Sequence, residues 1–179
     1  MKRISKKLLL NQFINFFWTI ISFTPVIIYA FTAGPVWTIY FFIVISILSG
    51  LLPKYIFDHI QLSRDPQFYE KLGVKKIRKF VQDGDIINRS IRTSLMHHRI
   101  ITNRNSVVKY LKTVEMYERY HFMCLTFFSL ISLHAFFHSQ LRLGILITAC
   151  NFLYNVCPIL LQQFNKARVL QITGNIPSR

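Results

Sequence analysis

Several polar side chains stand at or within apolar runs, where an ionisable or amide group is costly unless a partner or water satisfies it. Glu118-Arg-Tyr-His121 sets a carboxylate and an imidazole three residues apart, a spacing that puts both on one face of a helix. A carboxylate beside an imidazole can set its tautomer and raise its basicity, as a general base needs if it is to take a proton from a hydroxyl. The same spacing also serves a helix-end ion pair that anchors an interface, and the pair alone does not choose between the two. Asn155, Gln162, Asn165 and Arg168 follow along the last apolar run and its exit, with Asn155 and Gln162 seven apart, close to two helical turns. Amides so placed can hydrogen-bond a polar head group or a sugar, or they can hold helices together.

Other constellations carry less. His134 and His138 are four apart, a spacing that can hold a metal or a haem. No matching ligand pair stands elsewhere, so interfacial histidines are the simpler reading, and His97-His98 reads the same way. Cys124, Cys150 and Cys157 sit in apolar runs with no CxxC pair and read as buried small hydrophobes. No metal site is expected. GxSxG, P-loop and GxGxxG patterns are all absent from the sequence, which removes the usual soluble hydrolase, nucleotide and dinucleotide readings.

The elements that position these residues follow from composition. The chain has 179 residues, 52% of them hydrophobic, and a formal net charge of +15; its mean hydropathy is positive. That is too apolar for an ordinary soluble domain. All seven acidic residues lie between Pro53 and Tyr120, so a central polar region separates two apolar ends. After the basic start through Lys7, Leu8 to Phe31 is long enough to cross a bilayer core of about 30 Å. It also outruns the roughly 7–15-residue core of a cleaved signal peptide. Thr32-Ala-Gly-Pro35 leads to a second span, Val36 to Leu52, closing a hairpin. Phe122 to Phe137 and Leu143 to Leu161 make a second hairpin about the turn Ser139-Gln-Leu-Arg142.

Between the hairpins the chain is basic and amphipathic, with Phe68, Tyr69, Leu72, Val74, Ile77, Phe80 and Val81 interleaved with lysines and arginines, as suits an anionic membrane surface. Turns are expected at Asp83-Gly-Asp85 and Thr102–Ser106, then a helix over Val107 to Glu118 that enters the membrane. The fold class is thus an all-α integral membrane protein of about four transmembrane helices in two hairpins, divided as 1–53, 54–119 and 120–179. Four Lys/Arg precede the first span, fourteen lie in the central segment and three follow the last span, whereas the opposite loops carry only Arg142. The positive-inside rule then puts both termini and the central segment in the cytoplasm of a multi-pass cell-membrane protein. Lipid with anionic head groups is the expected partner and nucleic acid is not, because membrane spans bracket the basic segment.

Three pieces of sequence, in order, resemble the glycosyl-4,4'-diaponeurosporenoate acyltransferase family of small bacterial membrane proteins. Asn155-Val-Cys-Pro-Ile-Leu-Leu-Gln-Gln-Phe-Asn-Lys-Ala-Arg168 is similar to that family's Asn, nearby Pro, apolar stretch and Gln-Arg-Tyr-Asn-Arg-x-Arg. Glu118-Arg-Tyr-His121-Phe122 resembles its Glu-x-x-His-Trp, and Tyr69 to Arg78 resembles a basic aromatic stretch ending Trp-Lys. The likeness runs from about Phe68 to Leu170. It departs at Phe122 and Ile77, which replace Trp, and at Gln163, which replaces an Arg. The resemblance implies transfer of a fatty acyl group from an acyl donor, a thioester co-substrate, to a hydroxyl of a lipid-linked acceptor, a sugar such as a glycosylated carotenoid, with no other cofactor. It implies His121 as base and Glu118 as its orienter. With it go Lys75, Lys76, Arg78 and Lys79 at the donor's phosphates, and Asn155, Gln162, Asn165 and Arg168 at the acceptor.

Overall fold

A backbone in hydrocarbon must bond its own peptide groups, which a helix does. Every regular element among the described residues, 2–32, 35–80 and 104–174 of this computed structural model, is helical. Helix α1 spans Lys2–Thr32, α2 Val36–Gly50, α3 Lys54–Ile60, α4 Pro66–Lys71 and α5 Val74–Ile77, the last followed by a 3-10 turn, Arg78–Phe80. Helix α6 spans Arg104–Phe137 and α7 Leu141–Asn151; a π turn, Phe152–Val156, joins α7 to α8, Cys157–Gly174. Leu8–Thr32, Asn105–Phe137 and Leu141–Thr173 are long and apolar enough to cross a membrane. The protein is an all-α membrane protein. The turn expected at Asp83–Asp85, the residues Val81, Thr102 and Asn103, and the pair His97-His98 lie outside the described residues.

The expected second span is shorter than the apolar run. α2 stops at Gly50 and the chain bends by 89° into α3, because Pro53 disfavours helical backbone at the residue before it. Fifteen residues rise only about 22 Å, so α2 and α3 together make a broken span or a re-entrant loop. α6 likewise begins at Arg104, so Asn105 and Ser106, expected in a turn, are already helical. At the next break Ser139 takes a left-handed φ of 59°. Gln140 N–H then donates to Ala135 O at 2.9 Å and Ser139 N–H to Phe136 O at 3.1 Å, a Schellman ending for α6. The π turn has a local cause. Pro158 has no N–H, and its ring would press on the carbonyl of Tyr154, so the helix widens there.

The chain forms two compact units, residues 16–60 with 119–159, and residues 1–15 with 61–118 and 160–179. The core of the first holds Val26, Tyr29, Phe128, Ile131, Ala135, Ile147 and Cys150, with Phe23, Ile39 and Phe42 packed on it. Four of its hydroxyls bond back to their own helices, Thr24 to Ile20 O, Ser46 to Phe42 O, Thr126 to Phe122 O and Thr148 to Gly144 O, so they carry little polarity to the apolar surroundings. Arg119 ends α2. Its guanidinium donates to Gly50 O at 3.0 Å and Leu52 O at 2.7 Å and lies 4.6 Å from the centre of the Phe57 ring, satisfying carbonyls that a helix end leaves open. In the second unit Tyr69, Val74, Leu161, Phe164 and Ala167 form the core, with Leu160 and Ile77 against them.

Gly50 lets α6 approach closely, since a Cβ there would overlap the Met123 side chain. Gly50→Ala is expected to lower stability by about 1–3 kcal/mol, the usual cost of overpacking, and Met123→Ala in the same chain should recover part of the loss. Thermal unfolding of the detergent-solubilised protein measures both; additive losses in the double variant would contradict this packing.

Candidate functional site

In the first unit a line of polar side chains runs through the apolar interior from His121. Nδ1 of this half-buried imidazole faces Asn155 Oδ1 at 3.5 Å, the outer edge of hydrogen-bond range. Asn155 is fully buried at 0% exposure. Its Nδ2 donates to Asn151 Oδ1 at 2.8 Å, and Asn151 Nδ2 donates to Leu125 O at 3.2 Å and Ser129 Oγ at 3.0 Å. Local structure explains the placement. Asn151 closes α7, and Asn155 lies in the π turn before Pro158; such turns occur often at functional sites. The backbone of Tyr154, whose carbonyl Pro158 cannot bond, also interacts with the His121 imidazole.

Two phenol rings flank the imidazole edge-on, Tyr120 at 5.2 Å and Tyr154 at 5.8 Å between centroids. Tyr154 is held in turn. Its hydroxyl meets Thr19 Oγ1 at 2.9 Å and the Tyr120 hydroxyl at 3.4 Å, while its ring stacks on Phe128 and meets Phe23 edge-on. A neutral imidazole held at one nitrogen and walled by aromatic rings can act as a base at the other. His134 has a different setting: its Nδ1 bonds the Tyr29 hydroxyl at 2.5 Å, and its ring stacks on His138 at 4.0 Å.

The second unit has its own buried cluster. Gln163, 2% exposed, accepts through Oε1 from Leu62 N–H at 3.3 Å and from the Tyr69 hydroxyl at 3.2 Å, and donates through Nε2 to Glu118 Oε1 at 3.1 Å. Tyr69 Oη also accepts from Ser63 N–H at 3.0 Å and lies 2.9 Å from Ser63 O; its single proton serves either that carbonyl or Gln163. Glu118, 3% exposed, meets Gln163, and a side chain facing His121 is Asn155, which the family resemblance placed at the acceptor. Gln162 and Asn165 are half-buried, and Arg168 is exposed with its guanidinium 5.4 Å from the Phe164 ring centre. Of the four cations expected at a phosphate, Lys75 pairs with Glu70 at 2.5 Å, Arg78 is half-buried, and Lys76 and Lys79 are exposed.

Residues 53–175 match the sequence model of the glycosyl-4,4'-diaponeurosporenoate acyltransferase family. The chain belongs to that family. No curated protein and no solved structure matches it. Membership in the glycosyl-4,4'-diaponeurosporenoate acyltransferases puts the chain among acyltransferases of a carotenoid pathway, and the matched span covers α3 through α8 and so both polar clusters. Within that span, Asn151, Tyr154, Tyr120, Tyr69 and Gln163 join the clusters without having been given a site role from the sequence. The spacing of four between Asn151 and Asn155 was the available sign of a helix-face pair. For Gln163 beside Gln162 there was none, because one residue turns a helix face by about 100°.

Burial raises the Tyr69 phenol above its ordinary pKa of 10.0; hydrogen bonds to Ser63 and Gln61 oppose the shift and the Glu118 charge adds to it. The folded protein therefore holds this proton more tightly than the unfolded chain. Its contribution is complete below about pH 10 and is lost as pH rises through the folded value. Tyr69→Phe should flatten the alkaline limb of a stability-versus-pH curve measured by denaturant unfolding, and an unchanged limb would contradict the buried phenol.

Proposed function

We propose that this protein is a bacterial cell-membrane enzyme that moves a fatty acyl group from a thioester donor onto a hydroxyl of a lipid-linked sugar of the glycosylated-carotenoid class. The observation that carries the reading is the His121 imidazole facing Asn155 at Nδ1 in a chain of this family. Nε2 takes the proton of the acceptor hydroxyl as its oxygen attacks the thioester carbonyl. The tetrahedral intermediate then collapses, the C–S bond breaks, and the imidazolium returns the proton to the departing thiolate. Asn155 acts here as the orienter of the base, and Glu118 supports Gln163 and the Tyr69 cluster.

Lys76 and Lys79, with Arg78, hold phosphates of the donor or of anionic lipid, while Lys75 is shared with Glu70. Gln162, Asn165 and Arg168 meet the sugar end of the acceptor. In this reading the basic segment and both termini face the cytoplasm, so α2 and α3 complete one crossing between them. Reporter fusions at the two ends should then be active on the same side, and activity on opposite sides would mean that α2 and α3 re-enter instead.

Purified protein in anionic vesicles, given a labelled acyl thioester and a hydroxylated glycolipid, tests the chemistry. His121→Ala should lower turnover by about 10²–10⁴-fold, the range for loss of a general base. The pair Lys76→Ala and Lys79→Ala should raise the donor KM at nearly constant kcat. Transfer by His121→Ala at the wild-type rate would remove His121 from the chemistry, and failure of the wild-type chain to transfer would favour a lipid-binding scaffold.

A further inference from the structure

The line of amides behind His121 has a direction, and its far end fixes it. A peptide carbonyl only accepts hydrogen bonds, so the Asn151 atom 3.2 Å from Leu125 O must be the amide nitrogen. That leaves Asn151 Oδ1 toward Asn155, which must answer with its own nitrogen, at 2.8 Å. Asn155 then has only its oxygen to offer the imidazole. An amide oxygen cannot donate. For this contact to be a hydrogen bond the nitrogen it faces must carry the proton, leaving the other nitrogen its lone pair; the Tyr154 backbone is the ring's second hydrogen-bonding neighbour. Turning either amide over would set N–H against N–H, or oxygen against oxygen, in a buried site where an unmet polar group is costly.

We infer that Asn151 is a positioning residue that takes its orientation from the Leu125 carbonyl and, through Asn155, fixes His121 as the Nδ1–H tautomer with Nε2 open to substrate. Asn151 reaches no reacting atom itself. It lies one residue beyond the imidazole's own partner, and the Ser129 hydroxyl 3.0 Å from its nitrogen holds it from the α6 side. The inference rests on the proposal that His121 is the base, but the tautomer can be read without any substrate.

The experiment is nitrogen-15 NMR of the histidine-labelled full-length protein in micelles, with the His121 signals assigned by their loss in His121→Gln. The wild type should show the proton on Nδ1. Asn151→Leu, which frees Asn155 to turn, should populate the Nε2–H form and lower kcat by about tenfold to 10⁴-fold, up to the cost of a wrong imidazole tautomer in catalysis, at unchanged donor KM. Asn151→Asp, which as the neutral acid can donate to Leu125 O and still accept from Asn155, should keep the Nδ1–H form. A wild-type proton on Nε2, or an Nδ1–H signal untouched in Asn151→Leu, overturns the inference, and the first of these needs no variant to fold. If the tautomer follows the predicted pattern while no chain transfers an acyl group, the proposed reaction fails and this inference stands.

Discussion

The hydrogen bond from Asn155 to Asn151, 2.8 Å long and buried, is the contact on which the arrangement around His121 depends. Within apolar helices an amide has no water to fall back on, so each must find a protein partner. Two asparagines one turn apart answer each other, and the outer ends of the pair are met by an imidazole and a backbone carbonyl. The π turn belongs to the same solution. Pro158 prevents a regular helix through Tyr154, and the widening falls on the residues that present Asn155 and Tyr154 to His121. A proline in an apolar helix would otherwise be only a cost.

The second unit meets the same constraint with a glutamine. Gln163 bonds a backbone amide, a phenol and a carboxylate at once, which settles the connector after Ile60 and the short helix α4 against α8. Glu118 is part of that support. Three residues on, the His121 imidazole faces Asn155. In the proposed reaction the base is an imidazole with a neutral amide behind it. A neutral orienter fixes the ring without adding a second buried charge, which in an apolar interior would itself need a partner.

Helical spans were legible because apolar runs and their charged borders set them directly: Leu8 to Phe31 lies inside α1, and Phe122 to Phe137 inside α6. The 89° bend after Gly50 was not, since Pro53 marks a stop but not the direction the chain takes next. His121 and Asn155 were both visible as polar residues near apolar runs. Their pairing was hidden, because 34 residues separate them and only packing brings their helices together. Gln163 was hidden for a different reason: which of two adjacent glutamines faces inward depends on the phase of α8, set by Leu161, Phe164 and Ala167 in the core.

The most direct test of the account is lipid and pigment mass spectrometry of host cells carrying the intact gene, lacking it, or carrying His121→Ala at equal membrane abundance. The account predicts a glycosylated lipid heavier by one acyl group in the first cells only, with its unacylated precursor accumulating in the other two. The same acylated species in all three would contradict it.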